Sequence, residues 1–166
     1  MKKCHKWLLA LLAFVGIVVM TRESSNRCAA LWRDMCLQNV NSCIYDYMDS
    51  GMDLVYAAKT ENDNYSSVRD WFLIQTGDLT GQIGLSLIPP EYWEEYPKAL
   101  QLISDIGRYS YSLPYSAKIA KEEFKNGDLN QLPIVLGILK DAKASTLEKT
   151  LENIEAHVLL PKISAD

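Results

Sequence analysis

The sequence predicts an all-α protein, with one N-terminal transmembrane helix followed by an antiparallel bundle of about four helices. Three observations carry this. Apolar residues return at steps of three, four and seven along most of the chain, the period of one helix face. No run alternates apolar and polar residues as a half-buried strand would. A basic cap, Lys2, Lys3, His5 and Lys6, precedes the apolar run Trp7–Met20.

That run is fourteen residues long. At about 1.5 Å per residue it covers roughly 21 Å of a hydrocarbon core about 30 Å thick. A cleaved signal peptide and a buried helix are therefore alternatives to an anchor. The exit Met20-Thr21-Arg22-Glu23-Ser24-Ser25 has no small-x-small cleavage site, which favours an anchor that stays. Cations resist translocation, so the cap stays cytoplasmic and the bulk of the chain lies outside. The expected organisation is a basic cap and anchor over 1–22, an extracytoplasmic bundle over 23–160 and a frayed tail over 161–166. Ser25-Asn26-Arg27 before Cys28 is not a lipoprotein cleavage box.

The first helix is expected to reach about Lys59. Trp32, Cys36, Val40, Cys43, Tyr47 and Leu54 form its inward stripe, with Gly51 as a weak point. After a polar loop over 60–64, Ser66 or Ser67 can cap a second helix, with Val68, Phe72, Leu79, Ile83 and Leu87 on one face and Trp71 beside them. Gly77, Gly81 and Gly84 in that helix point to close contact with a neighbouring helix, with a kink or break and, more remotely, a phosphate loop as alternatives. Pro89-Pro90 stops it. A third helix follows over Glu91–Leu113, with Trp93, Tyr96, Leu100, Ile103 and Ile106 inward and Pro97 tolerated near its start. Residues 118–126 form a short helix or a polar connector. Asn126-Gly127 marks a turn, and Asp128 caps a last helix reaching about Val158. Leu132, Leu136, Leu139, Leu147, Leu151, Ile154 and Val158 are its stripe, while Lys140, Lys143, Glu148, Lys149 and Glu152 cover its wet face.

The net charge of −4 comes from 17 basic and 21 acidic residues interspersed without a basic stripe, which argues against nucleic acid as a partner. Cys28, Cys36 and Cys43, spaced by eight and seven, share a helix face and read as small core residues. An intermolecular disulfide or a redox role is the alternative. There is no CxxC motif, and the chain has two histidines, so zinc is not expected. His5 lies on the cytoplasmic side and His157 sits at a helix end, where a cation complements the dipole. Asp46, Asp49 and Asp53 read as a solvated helix face rather than a cation site. Glu91, Glu94 and Glu95 read as acids at a helix start, with a hydrolase as the remote alternative if two of them faced a cleft. No catalytic residue, metal or cofactor is expected.

One stretch carries a resemblance. Leu79-Thr80-Gly81-Gln82-Ile83-Gly84-Leu85-Ser86-Leu87-Ile88-Pro89, followed by Ala99-Leu100-Gln101-Leu102-Ile103-Ser104-Asp105-Ile106-Gly107-Arg108-Tyr109-Ser110-Tyr111, resembles the N-terminal helical region of YpeB-type spore germination proteins of endospore-forming bacteria. The shared plan is a basic-capped anchor, a long helix, an acid-led helix and a closing helix after a polar loop. Gly107 to Tyr111 is its most distinctive part. Proteins of this type continue into C-terminal PepSY-type domains, which do not occur within these 166 residues. The resemblance implies a non-catalytic role: supporting a spore cortex-lytic hydrolase in germination from the forespore or spore inner membrane. On this reading Gly107, Tyr109 and Tyr111 shape helix packing or a partner-facing surface. The alternative is an envelope sensor or ligand-binding module with a pocket lined by Trp93, Tyr96 and Tyr115.

Overall fold

The computed structural model describes the backbone of residues 2–81, 88, 90–127 and 129–156, and the side chains of 14–81, 88, 92, 94–127 and 129–156. The order is α1 Lys2–Thr60, α2 Tyr65–Gly81, α3 Pro90–Glu95, α4 Pro97–Ser112, α5 Ala117–Asn126, α6 Gln131–Ala142 and α7 Leu147–Ala156. The described residues are helical or irregular, without strands, so the all-α class holds.

The chain divides into two units, 1–35 and 36–166. In the first unit every described side chain from Phe14 to Met35 is exposed, apart from half-buried Gly16. Local contacts hold this stretch of α1. Thr21 Oγ1 donates to the Ile17 and Val18 carbonyls at 2.9 and 3.0 Å, and Arg27 pairs with Glu23 at 2.6 Å. An exposed pair one turn apart contributes only a few tenths of a kcal/mol, roughly. Among the described residues no helix is long and apolar enough to cross a membrane. The side chains of 7–13, half of the run from which the sequence predicts an anchor, lie outside those residues.

In the second unit α1 turns Cys36, Val40, Ile44, Tyr47, Leu54, Ala57 and Ala58 into the core. The expected stripe thus holds from Cys36 onward. Trp32, assigned to it, is 43% exposed, and Ile44 is fully buried where Cys43 is only partly so. The helix runs unbroken through Gly51, where the missing side chain leaves room for neighbours. A Cβ there would stand 2.6 Å from Leu136 Cδ2 and 3.2 Å from Phe72 Cε2.

α1 ends with Glu61 in the left-handed region, φ 52°. The Glu61 N–H donates to the Ala58 carbonyl and the Asn62 N–H to the Ala57 carbonyl, at 3.2 and 2.9 Å. This is a Schellman end with glutamate where glycine is usual. The same turn starts α2. Asn62 Oδ1 accepts from the Asn64 N–H at 2.8 Å, and the Asn62 carbonyl accepts from the Tyr65 N–H at 3.0 Å. Ser66 and Ser67 are exposed and already helical, so the expected serine cap is replaced by this asparagine turn. α2 is described over Tyr65–Gly81. Ile83, Gly84 and Leu87 lie outside the described residues.

Two expected long helices are each two. Pro97 breaks the third, because the residue before a proline is pushed out of helical geometry. Tyr96 has φ −124° and ψ 54°, separating α3 from α4. The last breaks after Ala142, where Lys143 is extended at φ −58°, ψ 128°. There Thr146 Oγ1 accepts from the Lys149 N–H at 3.2 Å, an N-cap that starts α7 afresh. Asn153 Nδ2 closes the corner on the Ala142 carbonyl at 3.2 Å. Residues 117–126 are a true helix, closed by Gly127 at φ 91°. Asp128, Val158 and His157 lie outside the described residues.

α4 packs against α2, α3 and α7, and α6 packs against α7. The shared core includes Phe72, Leu79, Ile103, Ile106, Leu132, Leu139, Leu147, Leu151 and Ile154. Tyr47 and Phe72 meet there with ring centroids 4.8 Å apart.

Candidate functional site

The residues singled out on α4 divide by depth. Gly107 is buried, and a Cβ on it would stand 2.6 Å from Thr80 Cγ2. The two segments of the family resemblance, 79–89 and 99–111, therefore touch at this point, where a small residue lets α2 and α4 close on each other. Ser110, between the tyrosines, is fully buried and shares a 2.9 Å hydrogen bond with Tyr47 Oη. Its hydroxyl also donates to the Ile106 carbonyl at 2.9 Å. Burial pushes the Tyr47 hydroxyl well above the ordinary phenol range, partly countered by the Ser110 bond.

Tyr109 is half-buried, and its hydroxyl is sealed from solvent without a hydrogen bond of normal geometry. Burial, only partly offset by the nearby Leu132 backbone, raises its pKa to about 12. Tyr111 is 56% exposed. Its hydroxyl lies 3.5 Å from where a Cβ of Gly77 would stand. One and two turns back along α2, Ile74 and Trp71 are each 56% exposed. Gly107 and Tyr109 are thus packing residues, and Tyr111 belongs to an uncovered apolar surface with α2. Trp71 was assigned to the edge of the inward face, yet it faces out.

A second cluster escaped the sequence reading. Arg69 of α2 is 1% exposed, among the largest buried side chains. Its Nε donates to the Leu113 carbonyl at 3.0 Å, and the Tyr115 ring covers its guanidinium at 3.7 Å. Tyr65 Oη, one turn earlier, donates to the Pro114 carbonyl at 2.8 Å. These bonds satisfy carbonyls of the Leu113-Pro114 connection that follows α4. Burial raises the Tyr65 pKa to about 12, against the opposing pull of Arg69. A lone arginine among polar residues gives no sequence signal of burial. The Leu113-Pro114 stop, with its open carbonyls, was the available hint.

The other expected sites come apart. Tyr96 is buried and stacks on Tyr92 at 6.0 Å, whereas Tyr115 is 78% exposed over Arg69. The Trp93 side chain lies outside the described residues. Glu94 and Glu95 are exposed, and the Glu91 side chain lies outside the described residues. Asp46, Asp49 and Asp53 are exposed, and no group of metal-ligating residues occurs among the described residues. Glu148, assigned to the wet face, is half-buried and accepts a short hydrogen bond from Tyr92 Oη. Cys28 is exposed, Cys36 buried and Cys43 half-buried. Burial raises the pKa of both Cys36 and Cys43, which disfavours their thiolates.

Comparison of the chain with protein families, with curated proteins and with solved structures found no match.

Proposed function

We propose that the chain is a non-catalytic helical protein, held at a membrane by its N-terminal run, that positions or stabilises a partner in the cell envelope. The observation that carries this reading is the apolar run left uncovered on α1. Phe14, Val15, Ile17, Val18, Val19 and Met20 are 47–74% exposed. Six large apolar residues among the seven positions 14–20 call for a nonaqueous neighbour, and a bilayer suits a run preceded by Lys2, Lys3 and Lys6. Trp71, Ile74 and Tyr111 supply the partner-facing surface, with the Gly107–Thr80 contact setting the spacing of α2 and α4 beneath it. The choice of partner, a spore cortex-lytic hydrolase acting in germination, rests on the resemblance of 79–89 and 99–111 to the YpeB type.

Two experiments test the proposal. In vesicle flotation the full chain should rise with lipid and a chain lacking 2–20 should remain below; equal behaviour ends the anchor reading. In a pull-down from sporulating cells, the tagged chain should recover a cortex hydrolase, and Trp71→Ala with Tyr111→Ala should lose it. Recovery undiminished by both substitutions would remove that surface from the proposal.

A further inference from the structure

Arg69 holds more donor capacity than its surroundings use. Its Nε is occupied by the Leu113 carbonyl. Its Nη2 is sealed from solvent and makes no hydrogen bond. Its Nη1 lies 3.8 Å from Asp70 Oδ1, beyond hydrogen-bond length, and the Asp70 side chain is 73% exposed. Tyr65 Oη donates its hydrogen to the Pro114 carbonyl. An arginine buried only to tie down a helix end would have its fork filled. This one keeps Nη2 buried and unfilled, with a surface carboxylate 3.8 Å from Nη1 that does not close on it. The Tyr115 ring roofs the guanidinium face at 3.7 Å and fixes the plane of the fork.

We infer that Arg69 is the anchor of an oxyanion site, roofed by Tyr115, that takes a small carboxylate or phosphate group on its Nη1–Nη2 edge. A planar fork with two parallel N–H groups matches two oxygens of either ligand. Asp70 is the competitor that ligand displaces. The site is independent of the membrane and partner proposals, since it lies wholly among Arg69, Asp70 and the 113–115 connection.

The test is NMR of the full-length protein, following the Arg69 Nε–Hε signal while sodium acetate, sodium phosphate or sodium chloride is added at matched ionic strength. The expected result is a saturable shift with acetate, phosphate or both, absent with chloride. A response to acetate alone assigns a carboxylate ligand, and a response to phosphate alone a phosphate ligand. Asp70→Asn removes the competing charge from an exposed position and should tighten binding about fivefold, the size of one surface Coulomb interaction. The same unsaturated drift with all three salts would overturn the inference. So would a saturable shift that Asp70→Asn leaves unchanged.

Discussion

Residues 14–35 and 36–60 belong to one helix and yet live differently. In the first stretch no described side chain is buried, although Leu31, Trp32 and Met35 are as apolar as anything that follows. In the second, Cys36, Val40, Ile44, Tyr47 and Leu54 are at most 2% exposed. Periodicity decides which face of a helix is apolar. It does not decide whether anything covers that face. Burial begins at Cys36, and Gly51, further along, marks how close Phe72 and Leu136 come to the helix.

The largest contrast should come from leucines. Leu54→Ala should destabilise the fold by about 2–5 kcal/mol, whereas Leu31→Ala, at a 64% exposed position, should stay within about 0.5 kcal/mol. Chemical denaturation of both variants checks this, and equal losses would erase the distinction. Next come the glycines. Gly51→Ala drives a methyl into Leu136 and should cost about 1–3 kcal/mol. Gly16→Ala meets nothing within 4 Å and should leave stability unchanged or raise helix content, by up to about 1 kcal/mol.

The α2–α4 contact sharpens the same point within the second unit. Gly107→Ala should destabilise by about 1–3 kcal/mol through the Thr80 methyl. Adding Thr80→Ser removes Cγ2 and should restore much of that loss, a coupling that a double-mutant cycle reads directly. Independent, additive losses would mean that Gly107 is not spaced by Thr80.

The smallest effect concerns pH. The hydrogen bond and charge of Lys121, with Lys118 and Lys125 behind it, hold the Glu61 carboxyl below its ordinary range. The folded chain therefore binds that proton less readily than the unfolded one. The stabilisation is present above the ordinary carboxylate pKa, about 4.3, and fades as pH falls through the lower folded value. Lys121→Ala should flatten this acid-side slope in thermal unfolding between pH 7 and pH 3, at about those limits, with little change in the slope above neutrality.

Much of the bundle was legible because Phe72, Ile103, Leu139 and Leu151 sit in strong 3.6-residue patterns. The breaks were legible too, but the periodicity masked them. Pro97 stands seven residues into the expected third helix, beyond the first turn where proline is harmless. Ser145-Thr146 is a cap signal lying inside an apolar repeat that continues across it. Gly107 was singled out from the sequence, and its role in packing is clear only once Thr80 is seen opposite. Arg69 was beyond reach. Its burial depends on Leu113, some 44 residues away, and no local pattern encodes that meeting.

The native cysteines test the start of burial most directly. Cys28 is exposed and Cys36 buried, eight residues apart on one helix. With maleimide labelling of the folded full-length protein, resolved residue by residue by mass spectrometry, Cys28 should react at the rate of a free thiol. Cys36 should react only as fast as the protein opens. Similar rates at the two positions would contradict a helix that enters the core at Cys36.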